Sequence, residues 1–457
     1  MYVLNDATLD SRVRREAATL AADGWRVTLV AMTGTALPER EVVDGFEIVR
    51  VEVPGGWRRH WLSVVKPGVA RSKALATAGR SLRSGPRGVR PALRSLGAAI
   101  GWLGLGVVRR IALLIPRRLG GPGVWPPAQA YWLATWRWST LGWARAAVDA
   151  APASDVHHGH DLTALAAARA GARRDRAKLV YDSHEIFVDS GRNADRPRWA
   201  RSLLRRWERR WSAGAAALVS VNEAYAKVIA KRVKARRVVV VHNCPPRWTP
   251  DAEAPVRLRR AAGIEDGVPI VLYHGAFSRH RGMEQLAEAM LDPSLVGAHL
   301  VFLGYGGERA ALDAMAADPR FGGRLHVLDA VPPERLLGMV AGADVDAIPL
   351  QHSTLNHWLC TPNKLFESIA AGVPVLVSEF PVMRDITLDP TLGPLGAVCA
   401  PEDPAAIAAA IAGILTLAPS EREALRARCR AAADERWNWE RERQGLLALY
   451  RSLAAER

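Results

Sequence analysis

Short apolar runs alternate with helical patterns in two series along this chain, and a proline-rich break at Cys244-Pro-Pro separates the series. The runs are apolar throughout rather than at every second residue, as in Val238-Val-Val-Val, Ile270-Val-Leu and Val375-Leu-Val. A strand of that kind needs apolar cover on both faces, which points to parallel sheets with helices on either side. A chain of 457 residues is also too long for one ordinary core, so two such domains are expected.

The first 50 residues read as strand, helix, strand. Val13, Ala17, Leu20 and Ala21 lie at helical spacing, Gly24 stops that helix, and Trp25-Arg-Val-Thr-Leu-Val-Ala follows as a strand. Alternation resumes near Ser154, with Asp155-Val-His-His-Gly-His-Asp leading into an alanine-rich helix and strand candidates at Lys178, Ala216 and Arg237. The second series places strands at Ile270, His299, Leu325, Val345 and Val375 and closes with helices from about Glu421 to Ala455. The boundaries expected are 1–245 for an N-terminal domain, 246–430 for a C-terminal domain, and 431–457 for a last helix crossing back to the first.

Charge is distributed unevenly. The formal net charge is +16, from 62 basic and 46 acidic side chains. Residues 53–148 hold 16 Lys or Arg and no Asp or Glu, so the remainder carries 62 − 16 = 46 basic against 46 acidic residues and is neutral. Trp57, Trp61, Trp102, Trp125, Trp132, Trp136, Trp138 and Trp143 lie in the same stretch. Its longest apolar run, from Leu96 to Val108, is too short to span a bilayer and ends at Arg109-Arg110. Arginines beside tryptophans, with no acid present, suit an interface with anionic lipid. The alternatives are a helical insert packed on the N-terminal domain and a nucleic-acid surface. Cys244, Cys360, Cys399 and Cys429 are scattered, with neither zinc-ligand spacing nor a disulfide pattern, and the N-terminus has no basic and apolar leader. A cytoplasmic protein is expected.

Open parallel sheets bind ligands beyond the carboxyl ends of their strands. Candidate residues gather there in the second series. Gly275-Ala-Phe-Ser-Arg-His-Arg-Gly follows its first strand and offers free backbone N–H groups before a helix, with Arg279 and Arg281 as bidentate partners for phosphate. Gly304-Tyr-Gly306-Gly is a similar turn. In Thr361-Pro-Asn-Lys-Leu-Phe-Glu-Ser-Ile-Ala-Ala-Gly, Pro362 opens a helix and Gly372 closes it. Lys364 and Glu367, three apart, share a face; a cation there is unfavourable by itself and is relieved by a bound phosphate. Asp344-Val-Asp346 looks like a metal-binding pair but opens an apolar strand, where a structural role is expected. His157, His158, His160 and His184 lack the further ligands a zinc site needs, so no metal is assigned.

The run Pro362-Asn-Lys-Leu-Phe-Glu-Ser-Ile-Ala-Ala-Gly-Val-Pro-Val resembles the donor-site signature of retaining glycosyltransferases of the GT-B fold, the group 1 or family 4 kind of bacterial polysaccharide and glycolipid transferases. Asp10-Ser-Arg-Val-Arg-Arg-Glu-Ala, Val156-His-His-Gly-His-Asp, Val180-Tyr-Asp-Ser-His-Glu and Ala343-Asp-Val-Asp-Ala-Ile-Pro-Leu resemble that family's pattern in the same order. The resemblance implies two Rossmann-like, doubly wound α/β domains facing across a cleft, with the basic segment as a helical insert in the first. It further implies that Glu367 holds the ribose of a nucleoside diphosphate sugar. Arg281 and Lys364 would then neutralise the leaving diphosphate, Asn363 and Leu365 would line its phosphate end, and the base would rest near Val331. Gly275, Arg279 and Gly306 complete the donor set, and His160 approaches the transferred sugar. Two positions depart from the pattern: a glutamate expected eight residues before Glu367 is Leu359, and an arginine expected after Gly275 is Ala276. Arg279, Asn356 and His357 are the nearby residues that offer replacements.

The function expected is retaining transfer of a sugar to a lipid-linked or polysaccharide acceptor at the inner membrane face, with no cofactor besides the donor. A catalytically silent nucleotide-sugar-binding homologue and a GT-B sugar epimerase are the alternatives.

Overall fold

The computed structural model describes residues 1–8, 10–34, 36–52 and 126–456. Most of the basic segment, including the run from Leu96 to Val108, lies outside the described residues. The chain runs α1 (Ser11–Ala22), β1 (Thr28–Met32), β2 (Arg40–Val43), β3 (Phe46–Val51), α2 (Pro126–Ala150), β4 (Val156–His160) and α3 (Asp161–Asp175). It continues through β5 (Lys178–Ser183), α4 (Arg198–Ser212), β6 (Ala217–Ser220), α5 (Glu223–Val233), β7 (Val238–Val240) and α6 (Ala254–Ala262). Then come β8 (Ile270–Phe277), α7 (Met283–Ala289), β9 (His299–Gly306), α8 (Arg309–Ala316), β10 (Leu325–Asp329), α9 (Pro333–Val340) and β11 (Val345–Ile348). The last part comprises α10 (Leu355–Trp358), α11 (Asn363–Ala370), β12 (Val375–Ser378), α12 (Pro381–Thr387), β13 (Gly396–Cys399), α13 (Pro404–Leu415), α14 (Pro419–Glu435) and α15 (Trp439–Ala455).

Two compact units interleave along this order. One comprises residues 1–9, 26–180 and 191–214; the other comprises 10–25, 181–190 and 215–457. In the first unit β1 pairs in parallel with β3, and β2 pairs antiparallel with β3. The hairpin β2–β3 was not read from the sequence; it turns at Asp44-Gly45, both with positive φ. The chain's first residues form only a bridge, Tyr2 to Val30 and Gly159. On the outside, α2 packs on α3, and both contact α4.

The second unit contains a fully parallel sheet in the order β10-β9-β8-β11-β12-β13. Its strand order reverses between β8 and β11. Side chains of β8 alternate between two cores. Val271, Tyr273 and Phe277 join one with α7 and α13, while Ile270 and Leu272 join another with α6 and α9. Both faces are thus buried, as the unbroken apolar runs require. β13 was not read from the sequence, because Gly396-Ala-Val-Cys is short and carries little β-branched content. The last helix, α15, packs on α1 and β7 within this unit. Trp439 Nε1 donates to Thr19 Oγ1 at 2.9 Å, and the Trp25 ring meets Tyr450 edge-on.

Candidate active site

The crevice beyond the carboxyl ends of β8 and β11 is where a sheet of this order accepts a ligand. The glycines shape it. A Cβ on Gly304 would stand 1.9 Å from the Gly275 carbonyl oxygen, and one on Gly306 2.2 Å from that of Phe277, so β8 and β9 approach here only because both are glycine. Gly275 has φ +109 and faces the Lys364 side chain, whose Cε would lie 3.6 Å from an added Cβ.

Helix α11 brings the predicted pair to this edge. Leu365, Phe366 and Ile369 anchor it in the core, which leaves Lys364 and Glu367 turned towards the crevice end. Lys364 is no surface lysine: it is 8% exposed, its Nζ sits 3.3 Å from the centre of the Tyr273 ring, and that Nζ has no hydrogen-bond partner. Burial drives its pKa down to about 7; Asp346 and Glu367 oppose the shift, and Arg281 adds to it. Glu367 remains partly open, with its side chain 23% exposed, and one oxygen, Oε2, is 3.0 Å from His274 Nε2.

His274 was missed in the sequence. It lies inside β8 at 1% exposure, between Glu367 and Asp346, whose Oδ2 is 3.2 Å from His274 Nδ1. Burial disfavours its charge, but the two carboxylates outweigh burial and raise its pKa to about 9. Asp346 is fully buried, and its Oδ2 is 2.5 Å from Ser368 Oγ. The same hydroxyl is 2.7 Å from the Lys364 carbonyl, one turn back on α11. The two aspartates of Asp344-Val-Asp346 therefore have different tasks. Asp344 accepts from the Ile270 N–H at 2.8 Å and fixes the start of β8, while Asp346 enters the polar cluster. A histidine in an otherwise apolar strand was the available signal.

Further cations lie nearby. Arg281 Nε reaches Ser278 Oγ at 3.3 Å. Arg15, from α1 of the same unit, bonds to the Cys244 carbonyl and Asn243 Oδ1; burial lowers its pKa, and Glu367 opposes that shift. Asn243 Nδ2 in turn donates to Asn363 Oδ1 at 2.8 Å, which ties α1 to the first turn of α11. Arg279 is exposed, 3.6 Å from Glu308. Val331 packs partly buried on the core beneath β10. Leu359, at the departed position, contributes its carbonyl to Asn222 Nδ2 at 3.0 Å, and Asn356 accepts from the Ile186 N–H at 2.8 Å. His357 is held neutral, near 4, by burial and by the Arg281 cation, with Nδ1 2.8 Å from Ser353 Oγ. His160 belongs to the first unit. It ends β4 at 1% exposure, its N–H donates to the Tyr2 carbonyl at 3.0 Å, and its ring stacks on His158 at 4.4 Å. His157 serves that unit's interior, bonded to Tyr2 and Asp175.

The sequence and the fold have matches among known proteins. Residues 257–436 match the family model for glycosyl transferases group 1, and residues 93–244 match the model for glycosyltransferase family 4. The fold is that of the GT-B glycosyltransferases, of the group 1 and family 4 kind, with two Rossmann-like domains built on parallel sheets. Among solved structures, sucrose-phosphate synthase from Thermosynechococcus elongatus is similar at 18% identity and a TM-score of 0.65, over 97% of this chain and 93% of that one. WaaG, a glycosyltransferase involved in lipopolysaccharide biosynthesis, is similar at 15% identity and a TM-score of 0.56, over 98% and 96%. HepE of Anabaena in complex with UDP is similar at 15% identity and a TM-score of 0.55, over 69% of this chain and 82% of that one. A comparison of the sequence with curated proteins found no match.

Proposed function

We propose that this protein transfers a sugar, with retention, from a nucleoside diphosphate sugar to a lipid-linked or polysaccharide acceptor at the cytoplasmic face of the membrane. The observation that carries the donor half is the buried Lys364 ammonium, which has no hydrogen-bond partner at the crevice where the strand order reverses. An isolated cation in such a place is costly unless a ligand supplies the counter-charge. A diphosphate does so, and negative charge grows on it as the glycosyl–phosphate bond breaks. Lys364 and Arg281, already in position, stabilise that charge without reorganising. Asn363 and Leu365 lie in the first turn of α11, the end of a helix that favours an anion, although the Leu365 N–H itself donates to the Pro362 carbonyl at 3.0 Å. Glu367 keeps one oxygen for the donor ribose. Gly275 and Gly306 let the donor approach the backbone, and Val331 underlies the base. His160 acts towards the transferred sugar. HepE is described with UDP, which makes uridine donors the first to test.

Lipid docking is supported on the first unit. Helix α4 carries six arginines, and its one acid, Glu208, is buried. Trp199 and Leu203 on α4 and Trp138 on α2 are exposed at 40%, 37% and 57%. Among the described residues no single helix is long and apolar enough to cross a membrane. Exposed tryptophan and leucine beside arginines suit attachment at the surface. WaaG's described part in lipopolysaccharide biosynthesis supports a lipid-linked acceptor.

A panel of UDP-, GDP- and dTDP-sugars, measured by thermal shift on the wild type and on Glu367→Ala, tests the donor reading. A saturable shift for one nucleotide, lost in the variant, supports it. Binding without turnover or sugar release favours the silent homologue, and release of free sugar favours the epimerase. Retention is read from the anomeric configuration of the product.

A further inference from the structure

The polar cluster around His274 extends past the residues assigned to the donor. Four side chains follow one another with no apolar gap: Ser368 Oγ donates to Asp346 Oδ2 at 2.5 Å, Asp346 Oδ2 lies in ion-pair contact with His274 Nδ1 at 3.2 Å without the geometry of a hydrogen bond, and His274 Nε2 is hydrogen-bonded to Glu367 Oε2 at 3.0 Å. The first three are at most 1% exposed, and only Glu367 reaches the crevice. Burying two carboxylates and an imidazole beside a lysine is unfavourable unless each is paired. An apolar strand could have filled the same volume without that difficulty. The chain uses the arrangement to hold one carboxylate in one orientation.

We propose that His274, backed by Asp346 and Ser368, is a positioning residue that fixes Glu367 for the ribose hydroxyls of the donor. This rests on the reading of Glu367 as the ribose contact. Each member has a definite part. Ser368 and Glu367 are adjacent on α11, so the hydroxyl that holds Asp346 is rigidly related to the carboxylate being oriented. Asp346 and His274 come from β11 and β8, the two strands that flank the crevice. The imidazole takes Oε2 and leaves Oε1 for the ligand. Without it, Glu367 is free to turn towards Lys364 and Arg15, which would cancel the charge meant for the diphosphate. The relay thus has two effects: it selects ribose over deoxyribose, and it keeps the cations uncommitted.

The test compares binding of UDP with 2′-deoxy-UDP, and GDP with 2′-deoxy-GDP, to the intact chain. Wild type, Glu367→Ala, His274→Ala, His274→Gln, Asp346→Asn and the double variant His274→Ala/Glu367→Ala are needed. Wild type is expected to prefer the ribonucleotide of its own base. His274→Ala is expected to weaken the ribonucleotide about tenfold, the worth of one charge-assisted hydrogen bond, and to leave the deoxynucleotide nearly unchanged. His274→Gln, which keeps an N–H donor, recovers part of the preference. Asp346→Asn follows His274→Ala in direction, and the double variant is no worse than Glu367→Ala alone. If ribo- and deoxyribonucleotide weaken equally in the His274 and Asp346 variants, or if the double variant is additive, the relay is wrong and the cluster is only structural. Should His274→Ala fail to fold, His274→Gln and Asp346→Asn decide by the same ratio. If Glu367→Ala itself leaves the ribose preference intact, the reading of Glu367 fails and takes the relay with it. Binding of neither nucleotide family overturns the relay, while a dTDP-sugar shift lost in Glu367→Ala would leave the reading of Glu367 standing.

Discussion

Lys364→Met is expected to make the ligand-free protein more stable while abolishing donor binding, a combination that a merely structural lysine does not give. The magnitude follows from its surroundings. Burial lowers the pKa from 10.5 to about 7, a drop of about 3.5, which at ~1.36 kcal/mol per pKa unit amounts to about 5 kcal/mol against the charged form. The Tyr273 ring, 3.3 Å from Nζ, returns on the order of 2 kcal/mol through its negative face. About 3 kcal/mol remains, which methionine removes while keeping an unbranched stem in the same channel. The sign with pH is fixed too. The folded pKa lies below the unfolded one, so between about 7 and 10.5 the unfolded chain binds the extra proton and wild-type stability rises with pH. The difference between variant and wild type is therefore greatest at pH 7 and below, and it closes towards pH 10.5. Urea unfolding of both proteins without ligand, at pH 7 and again near pH 9.5, measures it. A methionine variant less stable than wild type at pH 7, or a gap that does not narrow at the higher pH, refutes the reasoning. So does a variant that still shifts with the donor.

Three further outcomes are expected. Gly304→Ala drives a methyl against the Gly275 carbonyl, so it should lower stability by roughly 2–3 kcal/mol and remove donor binding, checked by denaturation and thermal shift. For His242, burial opposes protonation but Glu223 and Glu442 prevail and raise its pKa to about 9; its stabilisation is present below pH 6.5 and lost as pH rises through 9, so His242→Gln should flatten the stability–pH curve in that window. Arg206→Gln with Arg210→Gln on α4 should weaken co-sedimentation with anionic vesicles roughly 30-fold at low salt, at ~1 kcal/mol for each of the two charges removed, and leave neutral vesicles unaffected.

What the sequence disclosed and what it hid divide along a physical line. Elements were legible where one property repeats along the chain: the unbroken apolar runs of β8, β9 and β12, and the stripe Leu365, Phe366, Ile369 on α11. Lys364 and Glu367 were legible because their conflict, a cation at a helix start, is itself local. The hairpin β2–β3 was missed although Asp44-Gly45 marks its turn; β2 alternates exposed and part-buried, and β3, though mostly buried, carries Glu47 and Arg50, so neither looks like the unbroken apolar runs around them. His274 was missed, and Asp346 was read as structural beside Asp344, for a different reason. Each looks like a polar residue set into an apolar strand, and the meaning of each lies in the other, 72 residues away and brought together by the pairing of β8 with β11.

That pairing also bears on the two departures from the family pattern. Leu359 removes a carboxylate and Ala276 removes a guanidinium from the edge of the crevice, so the change is charge-neutral on its own. We read the buried cluster as compensating in kind. Asp346 supplies a negative charge one layer deeper, and His274, held cationic near neutral pH, supplies the positive one. On that reading the charge balance is kept with both groups beneath the crevice rather than at its surface, behind Glu367 and Lys364. A site rearranged in this way should tolerate variety in the sugar, which loses a direct carboxylate contact, while holding the nucleotide more strictly. Donor specificity measured as two ratios, one across sugars on a fixed nucleotide and one across nucleotides on a fixed sugar, separates the effects. The second ratio is expected to be the larger by at least tenfold, and the opposite order would show that the buried pair does not stand in for the missing surface contacts.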